Sequence, residues 1–272
     1  MLRSKSEAEV TESYDIKVKE YINGRIELTI YDRKIKRIKS GYELSNIKNN
    51  DLENNINNKK RDNQELDNKE LRQDNIYRSY KMMIDYALEN SSSFNTFITL
   101  TFKENLIDIT EANKLFNKWC LQIRRNFPEF IYLGSPEYQK RGAVHYHIMT
   151  NLSIDESNLI TLQPTKNNMY DVKYWIYGYS SVFDLKLTDN KFSVAAYLSK
   201  YYFKDIDNRL FGRKKLLKSN NLKKPKEVIM NKNSIEYKNY FDYLSKTKEL
   251  VNKKNILTAN KYAPNLEILT YE

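Results

Sequence analysis

Two histidines, one cysteine, six glycines and five prolines are all that 272 residues carry of those types. The lone Cys120 excludes an internal disulfide and a cysteine-ligated zinc cluster, and agrees with a reducing compartment. No run of about 18 apolar residues is present, which leaves no membrane-spanning helix. The opening Met1-Leu2-Arg3-Ser4-Lys5-Ser6-Glu7 has no apolar stretch of the kind a signal peptide needs, so a soluble, cytoplasmic protein is expected. Among so few glycines there is no Gly-x-x-x-x-Gly-Lys-Ser/Thr loop, which excludes a P-loop nucleotide motor. What is abundant is charge of one sign. Lysine and arginine number 46 against 35 acidic residues, a net of +11, which favours a polyanionic partner: nucleic acid or an anionic membrane surface. With 40% hydrophobic residues the chain can still build the core of one ordinary domain and a smaller appendage.

The apolar pattern divides the chain. Ile16-Lys17-Val18-Lys19, Asn23-Gly24 and Ile26-Glu27-Leu28-Thr29-Ile30 read as a β-hairpin, either an added edge of a main sheet or a separate arm. Residues 46–75 are almost all Asn, Asp, Glu, Lys and Gln, too polar to offset the entropy of ordering, and read as a linker. Ile76 to Leu88 keeps one helical face, Phe97 to Phe102 alternates as a strand, and Thr110 is a candidate N-cap for a helix from Glu111 to Asn126 closed by Pro128. Strands are expected at Phe130–Tyr138 and Ser181–Leu187, and a helix at Ser193–Lys204. This order predicts an α+β fold with helices on one face of a mainly antiparallel sheet.

Both histidines lie in Ala143-Val144-His145-Tyr146-His147-Ile148-Met149. Alternation with Val144, Tyr146 and Ile148 places the imidazoles on one side of a strand, roughly 7 Å apart. The preceding strand reverses through Gln139-Lys140-Arg141-Gly142, and a turn centred near Arg141 sets Glu137 about opposite His145. Two imidazoles and a carboxylate suit a divalent cation, with Mg²⁺ or Mn²⁺ favoured by the carboxylate and Zn²⁺ or Ni²⁺ by the imidazoles. An H-x-H pair is also compatible with ordinary surface histidines. On the helix Ser193–Lys204, Tyr197, Lys200, Tyr201 and Lys204 share one face, and an ammonium beside a phenol favours the phenolate. From Lys200 to Lys254 sixteen lysines and arginines face six acidic residues, so the excess charge is concentrated there. Tyr240, Tyr243 and Leu244 are expected to pack on the catalytic domain, and the lysines around them to contact phosphate. Lys103, Lys140, Arg141 and Lys204 are the candidates for holding a nucleic-acid strand near the histidines.

The stretches Phe97–Phe102, His145-Tyr-His147 and Tyr197-Leu-Ser-Lys200-Tyr201 occur in the order and spacing of the HUH endonucleases. Glu137-Tyr-Gln-Lys-Arg-Gly-Ala-Val-His-Tyr-His147 resembles the version found in rolling-circle replication initiators of bacterial plasmids and single-stranded DNA phages. Leu210-Phe211-Gly212-Arg213 and Asn221-Leu222-Lys223-Lys224-Pro225 are similar to elements that follow the tyrosine helix in that group. The resemblance implies a ferredoxin-like or RRM-like antiparallel sheet, the HUH endonuclease fold, over residues 76–210. A hairpin arm (1–45), the linker (46–75) and a basic DNA-binding extension (211–272) complete the expected organisation. It further implies that Glu137, His145 and His147 bind the metal, Mg²⁺ or Mn²⁺. Tyr197 would attack a scissile phosphate of single-stranded origin DNA, Tyr201 would serve as a second nucleophile, and Lys200 would orient the phosphate. The products are a 5′-phosphotyrosine and a 3′-OH primer, with a host helicase and DNA polymerase as partners, and neither a membrane nor a small-molecule substrate. A relaxase or transposase of the same superfamily and a non-catalytic nucleic-acid-binding protein are the alternatives.

Overall fold

Strand-forming segments from the two ends of the chain make one sheet and those of its middle make another. This is seen in a computed structural model that describes residues 10–38, 78–154, 158–162, 170–185, 215–257 and 264–272. These residues divide into two compact units, one formed by those before 74 together with those from 225 onward, the other by those within 74–224.

In the first unit the hairpin expected at Asn23-Gly24 forms from β1 (Val10–Glu20) and β2 (Ile26–Ile38). It is neither an edge of the main sheet nor a separate arm. It joins β10 (Lys226–Met230), β11 (Leu250–Ile256) and β12 (Leu266–Tyr271) in an antiparallel sheet ordered β10-β1-β2-β12-β11. The alternation of the hairpin explains this. Ile16, Val18, Ile26 and Leu28 form an apolar stripe, which is buried with Leu269, Tyr271 and Leu244 of helix α3 (Ile235–Thr247). Tyr237, Tyr240 and Phe241 of α3 pack on the same cluster, so the tail aromatics cover the amino-terminal hairpin rather than the middle of the chain as expected, and Tyr243 is exposed. The basic extension is therefore part of a folded sheet.

The second unit contains helix α1 (residues 78–89), β3 (Thr96–Phe102), α2 (Ile109–Asn126), β4 (Tyr132–Tyr138), β5 (Val144–Thr150), β6 (Ile160–Leu162), β7 (Tyr170–Val172), β8 (Gly178–Asp184) and β9 (Leu217–Lys218). The seven strands run β6-β7-β8-β3-β5-β4-β9 with every pairing antiparallel. With two antiparallel sheets and helices packed on them, the chain is an α+β protein, as expected. α2 begins at Ile109 and its N-cap is Asp108, whose carboxylate accepts from the Thr110 N–H at 2.8 Å; Thr110, the expected cap, lies inside the first turn. β8 starts at Gly178, three residues before the strand expected from Ser181.

The core of this unit lies between α2 and one face of the sheet. Ala112, Phe116, Trp119 and Ile123 pack against Ile98, Leu100, Val144, Tyr146 and Ile148, all buried. Tyr146, the residue between the histidines, stacks on Phe116 with ring centroids 4.6 Å apart, and its hydroxyl meets the Asn113 side-chain oxygen at 2.8 Å. Because side chains alternate along a strand, burying Tyr146 against α2 turns both histidines to the opposite face. Two glycines make the hairpin possible. Gly142 takes φ +93° in the turn, and a Cβ on Gly134 would fall on the His147 carbonyl oxygen, so only glycine lets β4 approach β5 there.

Candidate active site

The register of the central strands sets the site. Glu137 pairs with His145 across β4 and β5, as expected from the turn, and Ser135 pairs with His147. On the other side of β5, Thr99 pairs with His147 and Thr101 with His145. Beyond β3, Ser181 of β8 pairs with Thr99 and Tyr179 with Thr101. Directly paired residues project to the same side of a sheet. The face opposite α2 therefore carries one row of Glu137, His145, Thr101 and Tyr179, and beside it a row of Ser135, His147, Thr99 and Ser181.

The side chains in these rows are connected. The Nε2 of His147 lies 2.7 Å from a Glu137 carboxylate oxygen, and both groups are buried. Its Nδ1 lies 3.2 Å from the Thr99 hydroxyl. The ring also stacks on Phe97, with centroids 6.0 Å apart. Carboxylate, hydroxyl and phenyl together leave the imidazole little freedom to turn. The His145 ring sits 6.1 Å from that of His147, and its Nε2 is buried without a hydrogen-bond partner. Burial, seconded by His147, pushes the pKa of His145 down to about 4. At neutral pH this imidazole is uncharged.

An uncharged imidazole with a free lone pair, next to a second imidazole and a carboxylate, is the donor chemistry of a divalent metal site. The buried, unpartnered His145 Nε2 fits such a group, since an orphaned polar atom in a protein interior is costly unless something occupies it. The spacing is that of an unclosed site. Among the described residues no three His, Cys, Asp or Glu side chains converge tightly enough to hold an ion, because Glu137 engages His147 directly. Glu137, His145 and His147 are the residues that would hold the metal, with Thr99 orienting His147 from behind.

Arg141, expected to hold nucleic acid, has a structural role. Its Nη2 donates to the Phe102 carbonyl at 2.6 Å, Nη1 to the Lys103 carbonyl at 3.4 Å and Nε to Gln139 Oε1 at 2.8 Å, which clamps the β4–β5 turn to the end of β3. Lys103 and Lys140 are exposed at this same end of the sheet. Tyr197, Lys200, Tyr201, Lys204 and Leu210–Arg213, like the linker 46–75, lie outside the described residues. Sequence reasoning missed Thr99 and Phe97 as partners of His147. Both lie within a strand that the sequence pattern reveals, but only the β3–β5 register ties them to it.

Residues 95–206 match the model of a family of replication-associated proteins, that of ORF2 and the gene 2 protein. The matched stretch is less than half of the chain. It begins at the start of β3, contains Glu137, His145 and His147, and extends past Tyr197 and Tyr201. Neither the curated proteins nor the solved structures contain a match to the chain. Among the described residues no helix is long and apolar enough to cross a membrane.

Proposed function

We propose that the protein is a rolling-circle replication initiator that nicks single-stranded origin DNA and rejoins the ends, with a tyrosine as nucleophile and a divalent cation, Mg²⁺ or Mn²⁺, as cofactor. The observation that carries this reading is the pairing of Glu137 with His145, which gathers two imidazoles and a carboxylate on one sheet face within the stretch that matches a replication-associated family. When bound, the metal supplies charge stabilisation at the phosphate being cut.

The chain's own residues do the rest. Glu137, His145 and His147 bind and orient, and Thr99 and Phe97 fix the His147 ring. The Tyr197 oxygen attacks the scissile phosphorus and forms a bond to the 5′ end. The bond to the 3′ oxygen breaks, the phenolic proton is lost, and the leaving oxygen is protonated to a 3′-OH that primes synthesis. Attack by that 3′-OH on a phosphotyrosine reverses the sequence and rejoins the ends, with Tyr201 as the second nucleophile. Lys200 favours the phenolate and Lys204 contacts the DNA backbone. Strand separation and synthesis fall to a host helicase and a DNA polymerase.

The test is a denaturing gel of the purified protein with labelled single-stranded oligonucleotides from DNA flanking the gene, with and without Mn²⁺. A metal-dependent covalent adduct is expected, lost in the Tyr197→Phe, Tyr201→Phe double variant and in Glu137→Ala. DNA that is bound by wild type yet never cleaved with any divalent metal would leave a non-catalytic binding protein.

A further inference from the structure

The histidine face has an open margin. Phe183 of β8 pairs with Phe97 and belongs to a row with Met149 and Leu133, as Tyr179 belongs to the row of His145 and Glu137. Phe97, Met149, Leu133, Glu137 and His147 are buried, but Tyr179 is 67% and Phe183 51% exposed. On the other side of the same strand, Ser180 and Val182 are buried, so β8 is well packed and only its outward column is open. An exposed Phe and Tyr two positions either side of Ser181, on a face otherwise covered, form an apolar surface of the kind that a folded domain keeps for a partner.

We propose that Tyr179 and Phe183 are a stacking track for the bases of single-stranded DNA that runs along β8 toward the histidine site. This rests on the replication reading and extends it to how the substrate is held. The geometry suits an extended strand of nucleotides. The two rings are about 13 Å apart along β8, and Tyr179 is two strand spacings, about 10 Å, from the column of His145. Charge favours the same occupant, because Lys103 and Lys140 are exposed at the end of the sheet where Tyr179 and His145 lie, with the Arg141 clamp between them. Aromatic faces accept any base, so the track supplies affinity and leaves sequence choice to other residues.

The test measures binding of the full-length protein to a fluorescein-labelled oligothymidine by anisotropy, in EDTA so that no chemistry intervenes. Tyr179→Ala and Phe183→Ala are each expected to weaken binding about tenfold and the double variant about a hundredfold. Tyr179→Phe and Phe183→Trp should bind like wild type, and the dependence on salt should keep its slope, since no charge is removed. Wild-type affinity in the double alanine variant, with metal-dependent nicking intact, would overturn the track and leave the replication reading standing. Tighter binding of an oligouridine than of oligothymidine would overturn the assignment to DNA. Failure of wild type to bind DNA at all would overturn both.

Discussion

His147 is held by three neighbours, and each can be removed singly. Thr99→Val keeps the shape of the side chain but removes the hydroxyl 3.2 Å from Nδ1. Loss of such an outer partner typically costs 10- to 100-fold in metal affinity or activity. The Mn²⁺ concentration giving half-maximal adduct is therefore expected to rise at least about tenfold, measured on the gel assay across a metal titration. Cys120 illustrates the opposite case, a reactive group made inert. Burial pushes its thiol well up from its ordinary value, and no disulfide partner exists. Ellman's reagent is expected to leave it unmodified until denaturant is added; rapid reaction of the native protein would contradict the packing beneath α2. At this scale the H-x-H and Glu137 were legible because strand periodicity and a hairpin's mirror pairing are local rules. The Thr99 contact was not, since it bridges 48 positions of sequence and depends on which strands are neighbours.

The β4–β5 hairpin is the element that brings Glu137 to His145, and Gly134 is its tightest point. Gly134→Ala must push β4 away from the His147 carbonyl. Overpacking of this kind costs about 1–3 kcal/mol, to be read as a lower urea midpoint, and the displacement should lower adduct yield as well. At the start of α2, Asp108→Ala is expected to cost about 1 kcal/mol and Thr110→Ala much less; equal losses in urea denaturation would restore Thr110 as the cap. The helix itself was readable from its apolar stripe, but the sequence offers two capping residues within three positions. Only the Asp108 bond to the Thr110 N–H decides between them. The start of β8 is hidden for a related reason: Gly178 looks like a strand breaker until its pairing with Phe102 is known.

For the whole molecule, the hairpin was visible and its partners were not. Lys226 bonds Glu20 at 2.9 Å from 206 positions away, a pairing that no local pattern encodes. This contact has a pH signature. The Lys226 ammonium, aided by the Tyr240 hydroxyl, holds Glu20 below the usual carboxylate range against the opposing effect of burial. Its contribution to stability is complete above the carboxylate's unfolded pKa of about 4.3 and is lost as pH falls through the lower folded value. Glu20→Gln should therefore flatten the acid side of a melting-temperature profile without changing the alkaline side. Removing residues 225–272 is expected to uncover Ile16, Val18 and Leu28, seen as a rise in binding of a hydrophobic dye; no rise would mean the hairpin is stable alone.

The five-stranded sheet also imposes a schedule on biosynthesis. β12 lies between β2 and β11, and Arg25 bonds Glu272 across 247 positions of sequence. At about 5–20 residues per second, the hairpin leaves the ribosome many seconds before its partner strand exists. The middle unit, complete by residue 224, can fold during that interval. A nascent chain interrupted late would thus carry its histidine face with its amino-terminal hairpin still waiting, an apolar ribbon exposed to chaperones and proteases.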